Sequence, residues 1–149
     1  MLKRAELAKE LFKTGLNCSQ SVVVAFADVI NLDETAAAKL AAGLGGGVGR
    51  QREVCGAVAG AAIVLGYLCS GEDGRNKKCA YEKVREFSDE FKRRNGSIIC
   101  RELLGLDERT KESAAPSERT AEYYRKRPCA ELVSDAAEIV EAILCANKA

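Results

Sequence analysis

Residues 54–71 read VCGAVAGAAIVLGYLCSG, and the fold class turns on what they form. The stretch carries no charge and is just long enough to raise the question of a membrane span. Four alanines, four glycines and two cysteines dilute it, so its insertion into a bilayer is poorly favoured. A central helix buried in a protein core suits the same composition and is the expectation. Gly56, Gly60 and the alanines around them would let another helix approach closely, either in the same chain or in a dimer mate.

Immediately upstream, GLGGGVGR at 43–50 must be a loop. It has no GK[ST], so it is not a phosphate-binding Walker loop. No strand precedes it and its glycine spacing fails, which excludes a dinucleotide fingerprint. Two readings remain. Successive N–H groups could form a nest for sulfur or sulfide, or the glycines could serve close backbone packing. Further upstream, Leu2, Ala5, Ala8, Leu11 and Phe12 form one apolar helical face, with Gly15 as its stop. Asn17 caps a second helix to about Ile30, with Gln20 completing a capping box. Asp33 caps a third, Glu34 to about Ala42.

Downstream of the central stretch, a fifth helix spans roughly Asn76 to Arg94, stopped by Asn95-Gly96. Ser97 can cap a short helix from Ile98 to Leu104. Residues 105 to about 117 are polar and irregular, and Pro116-Ser117 can open another short helix. Pro128 suits the first position of a last helix running to about Ala146. No hairpin, alternating strand, repeat or linker interrupts the series. The expectation is one domain over residues 1–149, an all-α compact bundle of about five to seven helices.

Composition narrows the function. The 149 residues carry 23 basic and 22 acidic side chains, a net charge of +1, which argues against a nucleic-acid binder. The basic triplets Lys92-Arg93-Arg94 and Arg125-Lys126-Arg127 read as solvated faces. There is no histidine, which removes Ser-His and Cys-His catalysis, histidine-ligated metals and CxxCH haem attachment. The N-terminus MLKRAELAKEL has no apolar run resembling a secretory signal, so a reducing cytoplasmic location is expected, where structural disulfides are rare.

The seven cysteines are the unusual feature, and their number is odd. Cys18, Cys55, Cys100 and Cys129 each fall in or near the first turn of an expected helix. Unpaired N–H groups and the positive end of the helix dipole favour thiolate there, the form that ligates metal or attacks disulfides. If short connections alternate the helix directions, these four starts converge on one pole of the bundle. Cys69, Cys79 and Cys145 fall at the other pole. Cys69 lies fourteen residues along a helix from Cys55, about 21 Å away. For these three the expectation is core packing or lone thiols. No CxxC or ferredoxin-type spacing is present.

Four stretches carry a resemblance: GLNCSQSV at 15–22, GGGVGRQREVCGAVAG at 45–60, GSIICRELLG at 96–105 and PCAELVSDAAEIV at 128–140. In this order they resemble the C_GCAxxG_C_C family, which is labelled redox-active. The family's four cysteines fall on Cys18, Cys55, Cys100 and Cys129. Where its central motif has glycines, this chain has Val54 and Ala59, with its own glycines at Gly56 and Gly60. The other three cysteines have no counterpart in the pattern. A related domain stands beside haems in split-Soret-type cytochromes, associated with an iron–sulfur centre. The resemblance implies a helical domain, a cysteine-bound centre and a homodimer.

Three functions follow as expectations. The first is an iron–sulfur protein for electron transfer or redox sensing, with a [2Fe–2S] or [4Fe–4S] cluster on Cys18, Cys55, Cys100 and Cys129, Gly56 beside it, and another redox protein as partner. The second is a metal-free thiol–disulfide oxidoreductase or sensor with Cys55 as nucleophile. The third is a zinc or metal-handling domain in which the same four cysteines hold the ion. Neither nucleic acid nor membrane is expected as a partner.

Overall fold

The computed structural model describes residues 3–106 and 112–146. Among these, the elements are α1 (Arg4–Lys13), α2 (Cys18–Ala25), α3 (Glu34–Ala41), a single 3-10 turn at Ala42–Leu44, α4 (Gly56–Cys69), α5 (Lys77–Asn95), α6 (Cys100–Leu103), α7 (Ala121–Lys126) and α8 (Cys129–Ala146). The fold is all-α, as expected. The described residues contain no strand, only an isolated antiparallel bridge between Val54 and Ile99. No described helix is long and apolar enough to cross a membrane.

The centre is α2 rather than α4. Ser19 and every residue from Ser21 to Ala25 are buried in α2, and the helix touches α1, α3, α4 and α8. Its Val22-Val23-Val24 run would suit a strand by propensity, but burial on all sides overrides that preference. The capping box fixes its start. Asn17 Oδ1 accepts from Gln20 N at 2.9 Å, and Gln20 Oε1 accepts from Asn17 N at 2.9 Å. The helix ends at Ala25, five residues before the expected end, and a chain of turns carries on through Asn31, which has φ 57°.

Helix α4 lies beside α2 and runs parallel to it. A Cβ at Gly60 would stand 2.9 Å from Ser19 O and 3.2 Å from Val22 Cβ, so the missing side chain is what allows the contact. The small-residue face is therefore consumed within the chain, while Tyr67 and Leu68 at the far end are exposed. Helix α8 runs antiparallel to α1, with Lys9 paired to Glu131 near one end and Arg4 to Glu141 near the other. Helix α5 is amphipathic, burying Phe87 and Phe91. Its end stands beside α8 through the Arg94–Glu138 pair at 3.1 Å. The triplet 92–94 is a solvated face, as expected, with Arg93 and Arg94 paired to Glu90. Leu2, counted on the first helix's apolar face, and 107–111 of the irregular stretch lie outside the described residues. The side chains of Arg125 and Lys126, from the second basic triplet, lie outside them as well.

Other boundaries moved. Ser97 does not cap the short helix: its Oγ accepts from Ile99 N at 3.0 Å in a local turn, and α6 begins at Cys100. No helix opens at Pro116; α7 starts at Ala121, capped by Thr120. Pro128 stands just before α8, whose first residue is Cys129.

A four-cysteine cavity at the helix starts

The parallel packing of α2 and α4, with α8 starting at the same end, brings three helix N-termini to one pole. A cavity of about 290 Å3 opens there, and Cys18, Cys55, Cys100 and Cys129 all line it. Cys18, Cys100 and Cys129 are the first residues of α2, α6 and α8, and Cys55 is the N-cap of α4. Cys55, Cys100 and Cys129 are buried and Cys18 is half-buried.

Each sulfur is positioned by a different local device. Asn17 fixes Cys18 through the capping box and also donates from Nδ2 to Ala42 O at 3.0 Å, which anchors the loop that follows. Gly56 sets the distance between the first two cysteines: a Cβ there would stand 3.1 Å from Cys18 Cβ. Cys55 and Cys100 are joined by the antiparallel bridge. Cys55 N donates to Ile98 O at 2.8 Å and Cys100 N donates to Glu53 O at 2.6 Å. Residues 53–55 and 98–100 thus act as a short β-ladder that aligns two ligand candidates far apart in sequence. Cys129 stands near enough to Cys18 for the two thiols to shift each other's titration.

The glycine-rich loop is held by its own backbone. Gly46, Gly47, Val48, Gly49 and Arg50 all have φ between 60° and 75°, a left-handed turn. The N–H groups of Val48, Gly49 and Arg50 donate to Leu44, Gly43 and Gly45 carbonyls at 3.2, 2.9 and 3.2 Å, and those of Arg52 and Glu53 to Gly46 and Gly47 at 3.0 and 2.9 Å. These five amides are spent on the loop itself. The glycines also serve close packing. A Cβ at Gly47 would stand 2.6 Å from Arg52 Cα, and one at Gly45 would strike the Asn17 side chain.

What the loop delivers to the cavity is guanidinium. Arg52 is only 7% exposed, and its Nη1 donates to Cys100 Sγ at 3.6 Å. The same side chain holds Glu112 through Nε–Oε1 at 3.2 Å and Nη2–Oε2 at 2.7 Å. Arg50 pairs with Glu112 at 2.9 Å and donates to Ser113 O and Ser117 Oγ at 2.8 and 2.7 Å. From the other side, Arg119 donates to Phe12 O and Leu16 O at 2.8 and 3.0 Å and stacks on Phe12. Residues 112–120 therefore form a strap whose Ala114, Pro116 and Ser117 wall the cavity. Arg127, which lies over the Tyr123 ring, lines it as well. None of these arginines is marked as part of a site by the sequence, because their convergence depends on the left-handed turn and on the strap.

Charge and burial sort the four thiols. Burial pushes Cys55 up to about 12, although the N–H groups of Ala57 and Val58 face its sulfur and oppose the shift. Cys100 is also raised by burial, with Arg52 opposing. Cys129 is lowered to about 7, first by the neighbouring Cys18 thiol and then, against burial, by Arg127, Arg52 and Arg119. Cys18 is the partner that keeps its proton, raised by Cys129 and by burial. The most acidic thiol is thus Cys129, whereas the sequence points to Cys55 as the nucleophile.

The remaining cysteines stand apart from the cavity. None of the three is in the core: Cys69 and Cys79 are half-buried and Cys145 is exposed. Cys69 and Cys79 are neighbours, Cys79 adding to the burial that raises the Cys69 thiol. Among the described residues, no three cysteine, aspartate or glutamate side chains are grouped as a single metal ion would require.

No curated protein and no solved structure matches the chain. A family model does, over residues 16–143, a span that contains all four cavity cysteines. The chain belongs to the C_GCAxxG_C_C family, whose description reads "Putative redox-active protein".

Proposed function

We propose that the cavity holds an iron–sulfur cluster, [2Fe–2S] or [4Fe–4S], through Cys18, Cys55, Cys100 and Cys129, and that the protein exchanges electrons with another redox protein. The observation that carries this reading is the convergence of four thiols from four separate helix starts on one cavity. The donor set fits: four sulfurs suit such a cluster, and the absence of histidine excludes a Rieske-type site. When bound, the cluster would supply one-electron chemistry. The residues of the chain do the rest. Arg52, Arg119 and Arg127 offset the negative charge of thiolates, and the Arg52 hydrogen bond to Cys100 Sγ withdraws charge from one ligand. Both effects favour the reduced state. A single zinc ion would need sulfurs only about 4 Å apart, whereas a cluster spreads its ligands further.

Anaerobic reconstitution with iron and sulfide tests the proposal. A brown protein with iron and acid-labile sulfide is expected, and serine at any of the four positions lowers both. A chain that stays colourless and takes up stoichiometric zinc instead would overturn it. A second reading is favoured by the nearness of Cys18 to Cys129 in the cavity: thiol–disulfide exchange with Cys129 attacking and Cys18 resolving. It requires a metal-free protein whose first disulfide joins those two residues.

A further inference from the structure

Cys69 and Cys79 meet at the end of the bundle away from the cavity. Cys69 is the last residue of α4 and Cys79 lies in the first turn of α5. The turn between them folds back on itself, with Asn76 N donating to Ser70 O at 2.8 Å. Asn76 Oδ1 then accepts from Cys79 N at 3.2 Å, which fixes the start of α5. These two bonds draw the end of one helix onto the beginning of the next. The turn leaves Cys79 near enough to Cys69 to help burial raise the Cys69 thiol, and Lys83, one turn further along α5, opposes that shift. Both residues are half-buried, so solvent reaches them, and neither lines the four-cysteine cavity.

We propose that Cys69 and Cys79 form a second redox site, a dithiol that passes two electrons to a disulfide substrate. This goes beyond the cluster reading and does not depend on it. One cysteine, as thiolate, attacks a sulfur of the substrate disulfide. The substrate S–S bond breaks, a mixed disulfide forms, and the departing sulfur takes up the proton that the attacking cysteine lost. The other cysteine then gives up its proton and attacks the protein sulfur of the mixed disulfide, releasing the second substrate thiol, which takes that proton. The dithiol has lost two electrons and two protons, and the substrate has gained them as two thiols. Closing the protein disulfide needs the sulfurs to approach to about 2.05 Å. The connecting turn can absorb that movement. Residues 71–78 are all exposed, and Gly71 and Gly74 have φ of 80° and 74°, a region open to glycine at little cost.

The full chain, purified anaerobically and reduced, is incubated across a series of reduced-to-oxidised glutathione ratios, or with an oxidised dithiol protein in place of glutathione. Acid quenching, alkylation and tryptic mapping follow. Arg75, Lys77 and Lys78 lie between the two cysteines, so an internal disulfide appears as a linked peptide pair. The expected result is the 69–79 linkage, formed in a two-electron transition before any cavity cysteine loses its reactivity towards alkylation. Reaction with glutathione assigns a small-molecule substrate, and reaction with the protein disulfide alone assigns a protein substrate. Cys69→Ser should leave Cys79 as a persistent mixed disulfide, with iron and sulfide content equal to that of the unsubstituted chain. The proposal is overturned if Cys69 and Cys79 remain alkylatable, or are modified separately without linkage, under conditions that oxidise the cavity thiols.

Discussion

A methyl group at residue 60 would have to occupy space already filled by backbone. The obstacle is Ser19 O at 2.9 Å, which cannot rotate aside. Overpacking of this kind costs about 1–3 kcal/mol, against a gain of about 1 kcal/mol from replacing glycine by alanine in a helix. Gly60→Ala is therefore expected to lower stability, read as a reduced urea midpoint at unchanged slope. Cys129 supports a prediction about pH. Its folded value of about 7 lies below the ordinary thiol value of about 8.5. A depressed thiol stabilises the fold above the unfolded value, and that contribution is lost as pH falls through about 7. In the reduced, metal-free chain, ultraviolet thiolate absorbance should show one group titrating near 7. Cys129→Ser should abolish that step and Cys18→Ser should move it upward. At this scale the sequence was informative about which cysteines come together and uninformative about their order of acidity. Position at a helix start is visible in a cap and a spacing. Acidity depends on which arginines fold over the sulfur.

Helices whose caps are written in neighbouring residues were legible. The Asn17–Gln20 box and the Asp33, Asn76 and Thr120 caps all accept the N–H three residues on. Asn17 and Asp33 can be read as caps from the sequence, and Asn76 as the start of its helix. The elements that assemble the cavity are those with no local signature. The Val54–Ile99 bridge pairs residues far apart in sequence, and the strap at 112–120 has no helical or strand period. The strap supports its own prediction. Arg52 hydrogen-bonds the Glu112 carboxyl and holds it below the usual carboxylate range, against burial, with Arg50 assisting. A lowered carboxyl contributes stability above its unfolded value of about 4.3, and this is lost as pH falls through the lower folded value. Glu112→Gln keeps the shape and removes the charge. Losing about 1 kcal/mol of clamping should raise the reaction rate of Cys100 with a thiol reagent by about fivefold, with little change in helical content. An unchanged rate would mean that the strap does not guard the cavity.

Over the whole molecule, the four cavity cysteines run from residue 18 to residue 129, so a group bound to all of them would tie most of the chain together. Loading should raise Tm, by about 2.7 kcal/mol of added stability at a hundredfold excess over Kd. It should also increase hydrogen-exchange protection in α2, α4, α6 and α8 together. Protection gained in one helix alone would contradict a shared site. The all-helical class was legible because helical periods, caps and glycine stops agree along the chain. The centre was misread because a charge-free stretch signals burial without saying how many neighbours surround it. The left-handed turn at 46–50 carries a different consequence, one of chirality. Its φ angles have the opposite sign to those of an ordinary helix, so they suit amino acids of the opposite hand. At Gly49, with φ 60°, an L-side chain would meet nothing closer than Gln51 Nε2 at 3.7 Å, so its penalty would be conformational rather than steric. In a chain assembled by chemical ligation, L-alanine at Gly49 should cost about 1–2 kcal/mol. D-alanine at the same position should be neutral or should stabilise by about 0.4–1 kcal/mol, because it restricts the unfolded chain to the conformation the fold requires.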